Sequence, residues 1–351
     1  MNLLVNFSSP STNIILEHKI NNIKIPWVEK YRPKTSDEIL LDPFIKVKID
    51  RILSEKSIPN MIITGEPGTG KTSTILCLAK QIYSSKEFRE CVLELNASDD
   101  RGLSIINNTI LPFCKKKVNK QINKLVILDE ADSITSKAQN LLSNIIAEYR
   151  KNTRFVFICN DCSQITESIQ SRCMIIKYNR LSKENLFNKI LSICTIENIK
   201  YTEEGINELL FLSDYDIRQA INNLECIFHY DKILDYENVY NIIDLPKPFY
   251  VQKILLNCIN GNLNESINTI KELYYKGYTS NDILLTFMKC LLEKKFDETI
   301  FLLNNKKIGT EEGILKIYEI VSLSYIRVNG GNDTLLQLLG CISKIYLYLE
   351  N

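Results

Sequence analysis

An α/β fold is what this sequence predicts: a parallel sheet buried on both faces, followed by helical domains. Three observations carry the expectation. Short β-rich runs alternate with helical stretches from about residue 26 to residue 180. Those runs are continuously apolar rather than alternating, the pattern of strands covered by helices on both faces. After Tyr178 the strand signal stops, and amphipathic helical patterns take over.

At 351 residues the chain is longer than one core usually extends, so two or three domains are expected. Residues 1–25 are polar and without clear period, and read as a loosely ordered extension. Residues 26–180 hold the predicted strands "MIIT" (61–64), "VLELN" (92–96), "KLVILDE" (124–130), "RFVFICN" (154–160) and "MIIKY" (174–178). Residues 181–245 read as a small helical domain, with helices near 182–198, 202–213, 216–230 and 236–243. Pro246 and Pro248 interrupt that pattern, because proline lacks the amide a helix interior needs and restricts the residue before it. Residues 246–351 form a further all-helical domain, where "GNLNESI", "GYTSND" and "GGNDT" supply glycine stops and polar starts.

A hydrophobic content of 45% and a charged content of 24% are ordinary for a globular protein and exclude a disordered or collagen-like chain. With a net charge of +1, no global positive field recruits nucleic acid, so any such site must be a local cluster of Lys and Arg. Of the eleven cysteines only Cys159 and Cys162 form a C-x-x-C pair, and His18 and His229 are the only histidines. Buried reduced thiols are therefore expected in place of a zinc site. The first 25 residues contain no Arg and no apolar stretch long enough for a signal or a membrane span, which predicts a soluble intracellular protein without a membrane partner.

The chemistry is expected at the strand ends, where open α/β sheets bind ligands. Gly65, Glu66, Pro67, Gly68, Thr69, Gly70, Lys71 and Thr72 fill the pattern G-x-x-x-x-G-K-[ST] between a strand and a helix, with Ser73 following. Glycines let backbone N–H groups wrap phosphates, and the helix N-terminus adds partial positive charge. Lys71 is placed to reach the β- and γ-phosphates of ATP, and Thr72 to hold Mg²⁺ through its hydroxyl. In "LVILDEAD" an apolar strand delivers Asp129 and Glu130. One carboxylate can bind Mg²⁺ while the other polarises the attacking water. Asn160 ends the next strand, where an amide can orient that water or sense the γ-phosphate. Arg172, in "IQSRC", and Arg218, in "DIRQAINNL", offer the guanidinium groups suited to phosphoryl transfer.

The ordered set "PWVEKYRP" (26–33), "EPGTGKT", "LELNASDDRG" (93–102), "ILDEAD", "CN" (159–160), "IQSRC" and "DIRQAINNL" resembles the small subunits of replication factor C, the sliding-clamp loader of the AAA+ ATPases. "ILCLA" and "GYTSNDI" are most similar to the eukaryotic subunit-2 type. The resemblance implies an AAA+ P-loop domain, a helical lid, and a collar that joins five subunits into a heteropentamer. It places Val28, Ile39 and Leu40 against adenine and ribose, makes Arg172 a finger acting in trans on a neighbour's ATP, and makes Arg218 the lid's γ-phosphate sensor. It implies a nuclear protein that loads a PCNA-type clamp onto primer–template DNA in replication and repair. By motif position Ile110 and Phe113 are clamp-contact candidates, and Arg101 and Lys137 DNA-contact candidates, with Lys115, Lys116 and Lys117 as further charges.

The chain departs from the family pattern in several places. Asn107, Thr109, Ser143 and Asn144 stand where basic residues usually face DNA, and fewer phosphate contacts mean a shallower salt dependence. Glu66 replaces a proline of the P-loop, and "SDYD" (213–216) lacks the glycine before the lid arginine. Two alternatives stay open from sequence: a mainly structural subunit that keeps its nucleotide unhydrolysed, and a different AAA+ machine.

Overall fold

A computed structural model describes residues 25–99, 102–116, 123–293 and 310–350. The expected N-terminal extension lies outside them apart from Ile25, as do Arg101 and Lys117. The chain divides into two compact units, Met1–Asp235 and Tyr236–Asn351.

In the first unit five strands form one sheet: β1 (Met61–Gly65), β2 (Val92–Asn96), β3 (Lys124–Asp129), β4 (Thr153–Cys159) and β5 (Met174–Tyr178). All pairings are parallel, and the spatial order is β2-β3-β4-β1-β5. Successive side chains along a strand point to opposite faces, so an apolar run supplies two cores at once. Ile62, Val126, Leu128, Phe155 and Phe157 face one side, where Ile106, Ile110, Leu142 and Ile145 pack onto them. Met61, Ile63, Leu125, Ile127, Val156 and Ile158 face the other, against Ile49, Ile75 and Leu78. This arrangement explains why the strands were legible as continuous hydrophobic runs.

The helix from Leu103 to Lys115 is widened into a π-helical stretch at Ile106–Ile110. Pro112 lacks the amide that would bond one turn back, and the wider turn accommodates that loss. At its end the buried Lys124 ammonium donates to the carbonyls of Phe113 (2.8 Å), Cys114 (2.9 Å) and Lys116. These are carbonyls that a helix C-terminus leaves without partners of its own.

After β5, helices Lys183–Glu197, Glu203–Leu212 and Ile217–Tyr230 form the helical part of the first unit. Ser182, Thr202 and Asp216 cap their N-termini with side-chain oxygens, which take up amides otherwise left unpaired. Strand signal does not wholly end at Tyr178, contrary to the sequence reading. Lys200–Tyr201 and Ile233–Leu234 form a two-residue parallel pair, too short to show any periodicity.

The second unit is helical throughout its described residues: Tyr236–Ile242, Pro248–Ile259, Leu263–Tyr275, Ser280–Leu292, Glu311–Asn329 and Leu335–Glu350. Pro248 sits in the first turn of its helix, where a missing amide costs nothing. Thr279 and Asp282 form a reciprocal capping box at the start of Ser280–Leu292.

Candidate active site

The loop between β1 and helix Lys71–Ile82 takes backbone conformations that only its glycines accept easily. Gly68 and Gly70 have φ of 76° and 85°. A Cβ on Gly68 would also lie 2.2 Å from Oδ1 of Asp216, whose carboxylate is fixed by accepting the amides of Arg218 (2.8 Å) and Gln219 (3.4 Å). The glycine therefore serves a close approach by the helical part as well as the turn itself.

Lys71 is 8% exposed. Its ammonium donates to the carbonyls of Gly65 (2.6 Å) and Glu66 (2.8 Å) and to Oδ1 of Asn160 (2.9 Å). Burial pulls its pKa below the usual lysine value, and the charge of Asp129 works against that shift. Asn160 is held in turn: its carbonyl accepts from Thr64 Oγ1 (3.1 Å), and its amide donates to Asp132 Oδ2 (3.0 Å). Spatial adjacency of β1 and β4 in the sheet brings Lys71 and Asn160 together.

Thr72 Oγ1 donates to Asp129 Oδ2 at 2.8 Å. A hydroxyl and a carboxylate oxygen side by side form the hard-oxygen donor set that suits Mg²⁺. Glu130 follows in a left-handed conformation, φ 52° and ψ 40°, and is exposed. Glu66, the departure from the family loop, is accommodated by an ion pair with Arg180 from the segment after β5.

Beside the loop lies an open cleft of about 140 Å³, lined by Val28, Ile39, Leu40, Gly68, Thr69, Gly70, Ser73 and Arg218 among others. Every residue that the sequence reading placed at the base or the lid sensor is in that wall. Tyr31, Arg32, Lys189, Ile217 and Ile221 also line it and had not been singled out. Tyr31 and Arg32 stand inside "PWVEKYRP" and Ile217 and Ile221 inside "DIRQAINNL", whereas nothing local marks Lys189. Arg172 is exposed, donates from Nη1 to the Ser168 carbonyl at 2.6 Å, and is not among the lining residues of its own cleft.

The peripheral candidates fare differently. Ile110 is fully buried in the core under the sheet, so its side chain is not offered to a partner, which corrects its assignment as a clamp contact. Phe113 is half-buried, and Leu103 on the same helical stretch is exposed. Lys137, Lys115 and Lys116 are exposed. Ser143 is buried with its hydroxyl on the Ser168 carbonyl, so it does not face solvent as the motif position suggested. Asn107 and Asn144 do.

A parallel sheet with a P-loop after an inner strand, a strand-end Asp-Glu pair and an adjoining cleft lined in part by the helical part define an AAA-type ATPase. The family described as "ATPase family associated with various cellular activities (AAA)" matches residues 61–181, and the "Replication factor C C-terminal domain" matches residues 246–344. The chain belongs to the replication factor C small-subunit family. It is 37% identical to replication factor C subunit 4 of Oryza sativa subsp. japonica over 93% of this chain and 94% of that protein. With subunit 4 of Saccharomyces cerevisiae it shares 37% identity, over 93% and 98% of the two chains. With subunit 5 of Homo sapiens it shares 40%, over 76% and 78%. Among solved structures, Thermotoga maritima RuvB, the Holliday junction branch migration motor, shares the fold at a TM-score of 0.50 and 14% identity, covering 71% of this chain and 92% of that one. As a member of this family the chain is an ATP-binding ATPase of a multi-subunit replication complex. Among the described residues no helix is long and apolar enough to cross a membrane.

Proposed function

We propose that this chain is a subunit of a heteropentameric clamp loader that binds and hydrolyses Mg·ATP to place a PCNA-type ring on primer–template DNA in the nucleus. The observation that carries the reading is the convergence of Lys71, Thr72, Asp129 and Asn160 on one loop, with Arg218 of the helical part at the adjoining cleft. A lid arginine at the nucleotide makes lid position depend on phosphate charge, and a difference in affinity between two lid positions is what lets ATP act as a switch. Lys71 binds the β- and γ-phosphates, Thr72 and Asp129 hold Mg²⁺, Glu130 polarises the water and Asn160 orients it. Mg²⁺ held by Thr72 and Asp129 would supply charge neutralisation at the phosphates. Arg172 points to use on a neighbour's ATP. Phe113 remains the clamp-contact candidate and Lys137 a DNA-contact candidate.

The test is affinity purification of the full chain with identification of its companions, then ATPase assay with and without clamp and primed DNA. Recovery with four related subunits and a ring-shaped clamp, and turnover stimulated by both, is expected. Full-rate hydrolysis by the isolated chain would overturn the reading. Unchanged loading with Glu130→Gln in the complex would favour a structural subunit.

A further inference from the structure

The wall of the cleft that faces the base is not built on the sheet. Val28, Glu29, Tyr31, Arg32 and Pro33 belong to a segment that crosses from the helical part to the P-loop helix, and it is fastened at both ends. On the helical side the amide of Trp27 donates to Glu225 Oε2 at 2.9 Å, and its indole, 6% exposed, lies 4.9 Å from the ring of Phe228. Lys30 Nζ and Tyr31 Oη both donate to Oε1 of Glu197, the last residue of helix Lys183–Glu197. On the other side Arg32 Nε donates to Ser73 Oγ at 3.3 Å, and the Pro33 carbonyl accepts from Cys77 Sγ at 3.1 Å.

Pro26, the N-cap of the short helix Trp27–Lys30, supplies no side-chain cap. A helix of four residues does not persist on its own. Its position must therefore come from the tertiary ties, and those at its C-terminal end converge on a single carboxylate. The Glu197 side of the Lys30 pair is only 15% exposed, so solvent screens it less than an ordinary surface pair.

We propose that Glu197 is a positioning residue for the base end of the nucleotide cleft, holding the Val28–Pro33 wall to the helical part through Lys30 and Tyr31. The proposal rests on the reading of this cleft as the base site. Glu197 itself touches no nucleotide. Its removal frees the wall next to the base while leaving the phosphate loop, fastened by Lys71 and Asn160, in place.

The experiment compares dissociation constants for ATP and CTP, two triphosphates with different bases, in the full chain and in Glu197→Ala. Trp27, the only tryptophan, reports docking of the segment through its emission. The expected result is a fall in the ATP-to-CTP affinity ratio of about tenfold, the scale of a lost charge-assisted hydrogen bond, with Trp27 emission shifted to the red. Glu197→Gln keeps an oxygen for Tyr31 and fills the same space, and should fall between. An unchanged ratio in a variant whose Trp27 emission has shifted overturns the proposal, as does a variant unchanged in both. Lys71→Ala run alongside separates the two layers. It should abolish binding of both triphosphates, and wild-type chain that binds ATP and CTP equally would sink the base-site reading itself.

Discussion

Thr72 and Asp129 meet directly: the hydroxyl at the start of the P-loop helix donates to the carboxylate at the end of β3, at 2.8 Å. The bond fixes both oxygens on one side of the phosphate loop. Asp129→Asn keeps the shape and an acceptor oxygen but removes the charge a divalent cation requires. The Mg²⁺ concentration that half-saturates turnover should rise by at least about 100-fold, beyond the usual cost of altering an outer-shell partner. A Mg²⁺ titration of ATPase rate checks this, and an unaltered midpoint would remove Asp129 from the metal site.

Lys71 should give ATP binding an alkaline limit. Burial lowers its pKa in the empty site, so the ammonium loses its proton at a lower pH than a free lysine near 10.5. In the window between those values the unfolded chain holds more protons than the folded one, so this group makes the empty fold more stable as pH rises through it. Triphosphate reverses the shift by favouring the ammonium. ATP affinity should accordingly fall as pH rises through the empty-site pKa, and binding there should take up protons. Calorimetry in two buffers of different ionisation enthalpy reads that uptake, which Lys71→Met should lose together with ATP binding.

Glu130 follows Asp129 at the end of β3 in a left-handed conformation. Loss of a general base costs about 10² to 10⁴ in rate. Glu130→Gln in the assembled complex should lower turnover on that scale with ATP affinity little changed. A Gln variant that hydrolyses normally would assign the water to another group.

In the turn before Arg218, Asp214 and Tyr215 are both left-handed, with φ of 52° and 58°. The glycine missing from "SDYD" is a missing residue type, not a missing conformation. A left-handed non-glycine residue costs about 1–2 kcal/mol, less for Asp than for most. Asp214→Gly should stabilise the fold by up to about 1 kcal/mol, part of the strain relief being offset by the greater freedom of glycine when unfolded. Thermal unfolding measures the gain. Tyr215→Gly would in addition lose the contact of its ring with the Lys183 ammonium, 4.4 Å from the ring centroid.

Local patterns made the strands and the phosphate loop legible, since both depend on spacing within a few residues. Met61–Gly65 shows its apolar run because helices cover both faces, and Lys71 shows itself through the glycines around it. Features that join distant segments left no such trace. The pairing of Glu66 with Arg180, the contact of Asp216 with Gly68 and the grip of Glu197 on Tyr31 each need the fold before they have a partner. Ile110 illustrates a different limit, because an apolar residue on a helix reads alike whether it faces a core or a partner, and burial alone separates the two.

Arg172 offers the sharpest test of assembly-dependent catalysis. It follows the short helix Glu167–Gln170, is exposed, and lies outside the set of residues that line its own cleft. Its guanidinium holds one backbone carbonyl through Nη1, which orients the side chain without burying its charge. A finger supplied by a neighbour contributes about 10³ to 10⁵ in phosphoryl-transfer rate. In a mixed complex where only the adjacent subunit's site can hydrolyse, Arg172→Ala should therefore cut single-turnover cleavage by about 10³ or more while this chain's own ATP affinity stays unchanged. If the neighbour keeps its rate and this chain's turnover falls instead, the arginine acts in cis, and completion of the ring is not what licenses hydrolysis.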